Sequence, residues 1–173
     1  MSYLHMKNKS LLIFSLLSIC LYACGQSQSF DEMLNSMYKH TVPLITVQQL
    51  KYELESDSTI VILDAREKNE YNVSHIKNAR YVGYDDFNIK SVNDISKDTK
   101  IIVNCSVGYR SERIGEKLKK ANYTNVSNLY GGIFSWVNQG YPVYTSNNTI
   151  TNKVHAYSEK WGIWLKKGEK IYE

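Results

Sequence analysis

Lys100-Ile101-Ile102-Val103-Asn104-Cys105-Ser106-Val107-Gly108-Tyr109-Arg110-Ser111-Glu112-Arg113-Ile114 passes from an apolar run through a short polar loop into a helical pattern, and that order decides the fold. The β-branched run reads as an interior strand, and Ile114, Leu118 and Ala121 recur at helical spacing after it. A loop in that position delivers backbone N–H groups and a helix N-terminus to one spot, which attracts negative charge. Cys105 sits there, so its thiolate form is favoured and the residue is a candidate nucleophile.

Working outward, Thr59-Ile60-Val61-Ile62-Leu63-Asp64 is a second β-rich run, and two runs buried on both faces imply a parallel sheet. The rest alternates around them. The spacing predicts helices over 30–38, 47–54, 67–71 and 133–139, helical turns near 85–95, and strands over 79–82 and 125–129, with Thr46 capping the second helix. Strand and helix in alternation describe an α/β fold, an open and mainly parallel sheet flanked by helices on both faces, with its site at the carboxyl ends of the strands.

Upstream, Lys7 and Lys9 precede an uncharged, largely apolar stretch from Ser10 to Cys20 that is too short to span a bilayer. This reads as a signal peptide over 1–23, and Met6 opens an equally complete basic leader. The closing Leu21-Tyr22-Ala23-Cys24-Gly25 resembles the lipobox of bacterial lipoproteins, which implies cleavage before Cys24, lipid attachment to it and loss of Cys20. The expected location is the cell envelope, on its periplasmic or cell-surface face, with the membrane engaged through the lipid. Residues 24–43 then serve as attachment point, tether and helical lead-in. Cys105 would be the one remaining thiol, so no intramolecular disulfide is expected.

Charge and composition exclude several classes. Removing the two leader lysines takes the formal net charge from +4 to +2, too weak and too evenly spread to imply nucleic acid. The four histidines, His5, His40, His75 and His155, are scattered and no cysteines pair at metal spacing, so no metal or other cofactor is expected. About 150 residues after the leader suffice for one domain with short extensions.

Three ordered motifs resemble the rhodanese-type sulfurtransferases. Asp64-Ala65-Arg66, then Glu70-Tyr71, His75-Ile76 and Ala79 match the first signature; Leu129-Tyr130-Gly131-Gly132 through Trp136, with Gly140-Tyr141-Pro142-Val143, match the second; the cysteine loop lies between. Ser74 and Asn78 stand where the family commonly has glycine. The resemblance spans a domain over 44–144. It implies that Cys105, Ser106, Val107, Gly108, Tyr109 and Arg110 curl around the sulfur, that Cys105 carries a persulfide, and that sulfur passes from a small donor to a thiol or cyanide. Arg110 supplies a cation at the mouth; Arg113, one turn on, is a weaker candidate. Structural roles fall to the others: Asp64 and Arg66 as an ion pair, His75 in capping or packing, Gly131 and Gly132 in a tight turn, Trp136 in the core.

Two other classes compete. Phosphatases and arsenate reductases of the same scaffold have five residues between cysteine and arginine, around a wider cradle, whereas four residues lie between Cys105 and Arg110. A non-catalytic, lipid-anchored binding module would have no need of the cysteine. Beyond 144 the resemblance stops. In 145–173, Val154, Tyr157, Trp161, Trp164 and Leu165 recur at roughly helical intervals, which predicts a helical tail packed across the domain, with an aromatic lip over the site or a membrane-contacting face as alternatives.

Overall fold

Successive residues of the central strands point to opposite faces, and both faces are apolar. Ile62 and Ile102 enter one hydrophobic cluster, while Leu63, Ile101 and Val103 enter another. Such strands need cover on both sides, and a computed structural model, which describes residues 28–172, supplies it. The expected leader over 1–23, with Cys20 and its alternative start at Met6, and the expected lipid attachment at Cys24 lie outside the described residues.

Five parallel strands form the sheet: β1 (Leu44–Ile45), β2 (Val61–Asp64), β3 (Arg80–Tyr81), β4 (Ile101–Asn104) and β5 (Val126–Leu129), in the order β1-β5-β4-β2-β3. β4 lies between β5 and β2, with Val103 opposite Leu63 and Asn128. The chain begins with α1 (Phe30–Met37), and α2 (Val47–Ser56) follows β1. Both start with capping boxes, Ser29 with Glu32 and Thr46 with Gln49, which satisfy N–H groups that a helix start leaves unpaired. α3 (Lys68–Val73) follows β2, a 3-10 turn (Ile89–Val92) follows β3, α4 (Tyr109–Lys120) follows β4, and α5 (Gly132–Asn138) follows β5. Ile114 and Leu118 of α4 cover one face with Val92, Ile95 and Tyr123. α1, α2 and α5 cover the other through Leu34, Leu50, Ile133 and Phe134.

The expected α/β fold is therefore present, but the C-terminal tail is not one helix. An antiparallel pair, β6 (Val143–Tyr144) with β7 (Ile150–Thr151), leads into a parallel pair, β8 (Lys153–His155) with β9 (Glu169–Ile171), around the four-residue α6 (Glu159–Gly162). Tyr157 at φ 66° breaks any helix across the segment, and Gly162 packs so closely on Tyr172 that an added Cβ would lie 2.4 Å from its hydroxyl. The apolar spacing serves burial instead. Val154, Ala156 and Leu165 are fully buried in the cluster that holds Phe134 and Trp136, and Trp164 stacks on Phe30 at 5.4 Å between ring centroids. Each such buried aliphatic contributes roughly 1.5–3 kcal/mol.

Candidate active site

β4 ends at Asn104, and the next residue, Cys105, is a free cysteine with 1% exposure. The Gly108 N–H donates to Cys105 Sγ at 3.1 Å. Gly108 does so at φ 98°, as the residue capping α4, in a conformation that side chains disfavour. Ser111 Oγ lies 3.4 Å from the same sulfur and donates to Asn128 Oδ1 at 2.7 Å, and Asn128 Nδ2 donates to the Gly108 carbonyl at 2.9 Å. Asn128 is fully buried on neighbouring β5, so the adjacent strand fixes both the loop backbone and the hydroxyl nearest the sulfur. An amide and a helix N-terminus thus meet at Sγ, where they stabilise negative charge, while the Ser111 hydroxyl, its proton given to Asn128, packs beside the sulfur.

Two further elements hold the loop from outside. Ile133 N–H donates to the Cys105 carbonyl at 2.9 Å, and Phe134 N–H to that of Ser106 at 3.1 Å. The first turn of α5 can come this near because Gly132 has no side chain: a Cβ there would sit 2.2 Å from the Cys105 carbonyl oxygen. Gly131 at φ 67° and Gly132 at φ 56° form the expected turn. From α1's C-cap, the Tyr38 hydroxyl donates to the Val107 carbonyl at 2.6 Å and accepts the Gly131 N–H at 3.0 Å. Burial pushes that phenol far above its ordinary range, so it stays a donor. Buried Glu112 anchors the chain after α1, accepting from Lys39 N–H at 2.9 Å and Thr41 N–H at 3.0 Å.

Arg110 stands at the mouth, as expected, but its cation is already engaged. Nη1 and Nη2 donate to Glu70 Oε2 and Oε1 at 2.6 and 2.8 Å, a two-pronged pair. Glu67 adds a second carboxylate at 3.9 Å. Ser106 is buried and turned into this cluster, donating to Glu70 Oε1 at 2.8 Å and accepting from Arg110 at 2.9 Å. Burial alone would raise the Glu70 pKa; the hydrogen bonds and charge of Arg110 outweigh it and hold the carboxyl below its ordinary value. Arg113 turns away to Glu112 and Glu116.

The signature residues take structural places. Fully buried Arg66 pairs with Asp64 through Nη2 at 2.7 Å and Nε at 2.9 Å, and its Nη2 also reaches the Ser74 carbonyl. His75 stacks on Tyr71 at 4.1 Å, its Nδ1 lies 3.1 Å from the Tyr71 carbonyl, and its backbone bridges to Tyr144. Trp136 fills the core and donates to the Pro142 carbonyl. Ser74 is extended, which any residue tolerates, and Asn78 at φ 61° occupies a left-handed position open to asparagine.

Cys105 lines a cavity of about 420 Å³. Val107 and Tyr109 line it from the loop and the start of α4, and Met37 from α1. Tyr84 lines it too, and Tyr157 and Trp161 come from the C-terminal segment, which forms an aromatic lip as well as packing across the domain as expected. Sequence reasoning missed the roles of Glu70, Ser111, Asn128 and Tyr38; of these Glu70 and Ser111 lay within quoted stretches.

The rhodanese-like domain profile matches residues 46–139. The chain belongs to the rhodanese-like domain family. Among curated relatives, a putative sulfur carrier protein, YrkF, from Bacillus subtilis is 29% identical over 96 residues, covering 56% of this chain and 51% of that protein. A tRNA uridine(34) hydroxylase from Staphylococcus carnosus is 28% identical over 132 residues, 73% of this chain and 40% of that one. This rhodanese-like chain thus spans about half, or less, of the length of these relatives. Among solved structures, a rhodanese-related protein from Thermoplasma volcanium is 29% identical with a TM-score of 0.52, covering 58% of this chain and 96% of its own. α1 and β6–β9 fall outside the family match.

Proposed function

We propose that this rhodanese-like chain is a sulfurtransferase of the thiosulfate or persulfide type, held at the cell envelope by lipid on Cys24. One observation carries the chemistry: Cys105 follows the last residue of the central strand and lines the cavity, with the Gly108 N–H aimed at its sulfur. The Cys105 thiolate attacks the outer sulfur of the donor. A new S–S bond forms, the donor's own bond to that sulfur breaks, and its electron pair leaves with sulfite or a thiolate. The terminal sulfur of the resulting persulfide carries the negative charge, which the loop donors stabilise. An acceptor thiolate or cyanide then takes that sulfur and restores the Cys105 thiolate. Four residues between Cys105 and Arg110, and the engagement of Arg110 by Glu70, favour this over oxyanion cleavage, which needs a free guanidinium on the substrate.

Mass analysis after incubation of the full chain with thiosulfate or an organic persulfide tests the reading. One added sulfur, mapped to the peptide containing Cys105 and discharged by cyanide, is expected. Cys105→Ser should abolish both the adduct and turnover while leaving thermal unfolding nearly unchanged, since serine keeps the size and loses the soft nucleophile. Undiminished turnover in that variant would remove the mechanism.

A further inference from the structure

We propose that the cavity above Cys105 selects an organic thiol or persulfide with an apolar stem that carries no anionic group, seated on a wall that the C-terminal segment provides. This rests on the sulfurtransferase reading and assigns its substrate class.

Size comes first. At about 30 Å³ per water, 420 Å³ has room for on the order of a dozen waters, far more than a five-atom oxyanion fills. It lies instead in the range of pockets that enclose organic ligands, about 300–1,000 Å³. A small inorganic donor would leave most of the wall in contact with water.

Chemistry of the wall points the same way. Met37, Tyr84, Tyr109, Tyr157 and Trp161 present a thioether and four aromatic rings to the space. Tyr109 and Tyr157 are 42% and 51% exposed, so both rings leave much of their surface open to a ligand. Tyr157 is also held at φ 66°, a conformation uncommon for a bulky residue. The Ala156 N–H bond to the Ile171 carbonyl and the Ser158 N–H bond to the Ala156 carbonyl fix that position. Its ring lies 5.2 Å from the Arg110 guanidinium, directly beside the reactive loop.

Charge then excludes anions. Glu67 and Asp85 line the cavity, and Glu70 pairs with Arg110, so three carboxylates and one guanidinium set the local charge. Burial, helped by the nearby Asp85, Glu70 and Asp86 charges, holds the Glu67 pKa above its ordinary value despite Arg110. The other cations close by are engaged: Arg113 with Glu112, Glu116 and the ring of Tyr109, and Lys117 with the rings of Tyr84 and Phe87. A dianionic donor meets net repulsion here, whereas a neutral stem, or an ammonium over an aromatic ring, is attracted.

Methanethiosulfonates test this without needing turnover. The Cys105 thiolate attacks their sulfenyl sulfur, a mixed disulfide forms, and methanesulfinate leaves with the electron pair of the broken bond. Rates at Cys105, followed by peptide mass in the full chain, are measured for the benzyl, trimethylammonioethyl and sulfonatoethyl reagents. Each is divided by the rate with the methyl reagent and by the same ratio for a free thiol. The benzyl and cationic reagents should exceed the anionic one by about fivefold or more. Tyr157→Ala should cut the benzyl advantage at least twofold, and Glu67→Gln should narrow the gap between cation and anion. Equal rates, or an anionic preference, would overturn the selectivity, and ratios unchanged in both variants would overturn the assigned wall. Absence of a persulfide from every sulfur donor would instead overturn the sulfurtransferase reading, a separate result in the same preparation.

Discussion

Replacing Glu70 by glutamine isolates the charge that holds the mouth of the loop. Glu70 is 1% exposed and accepts both Arg110 nitrogens, the Ser106 hydroxyl and the Glu67 N–H. Glutamine keeps the shape and one acceptor oxygen but leaves a guanidinium, itself only 14% exposed, with Glu67 at 3.9 Å as its remaining counter-ion. Breaking a fully buried pair costs about 3–5 kcal/mol; here Arg110 reaches some water and one hydrogen bond survives, so roughly 2–3 kcal/mol is expected. For a domain of this size that lowers Tm by roughly 6–12 °C. The sign with pH follows from the lowered carboxyl pKa. The contribution is fully present above the unfolded value, near about 4.3, and is lost as pH falls through the folded one. The Tm gap between wild type and Glu70→Gln, read by circular dichroism, should therefore be constant from pH 7 to about 5 and close below about pH 4. The same variant frees Arg110 for an anion, so the KM for thiosulfate should fall while that for a neutral persulfide should not. A gap that persists unchanged into acid, or no gap at neutral pH, would refute the assignment of Glu70 as a charged partner.

Tyr38→Phe removes the hydroxyl that joins the Val107 carbonyl to the Gly131 N–H and leaves both groups buried, which should cost about 1–3 kcal/mol. Cys105 alkylation should slow in parallel, and an unchanged alkylation rate would show that the loop does not need the brace. Cys24→Ala should abolish fatty-acid labelling and membrane partitioning in a bacterial host while sulfur transfer at Cys105 persists; continued labelling would remove the lipobox reading.

What the sequence disclosed was local. Strand, loop and helix around Cys105 are contiguous, so β-branching, a glycine and a helical period sufficed to place the thiol at a helix N-terminus. The capping residue Thr46 was readable for the same reason, because its partner Gln49 is three residues away. Pairings across the fold were not readable. Arg110 stands forty residues from Glu70, and nothing in the pattern said that the expected substrate cation would be bound by a carboxylate of α3. Aromatic spacing after residue 150 misled in a specific way: Val154 and Leu165 join the core cluster and Trp161 and Trp164 pack against it, so their spacing follows the core and not one continuous helix.

That last point bears on how a widely shared loop acquires a particular substrate. Tyr38, which braces the loop, and Tyr157 and Trp161, which wall the cavity, all lie outside the matched residues 46–139. Phe30 and Trp164 stack across the two flanking segments, so these form one added layer. The layer packs on α5, whose first turn donates to the carbonyls of Cys105 and Ser106. Changes in the flanks can therefore reach the nucleophile through α5 as well as through the direct Tyr38 brace, and substitutions at Phe30 or Trp164 should alter Cys105 reactivity without touching the cavity.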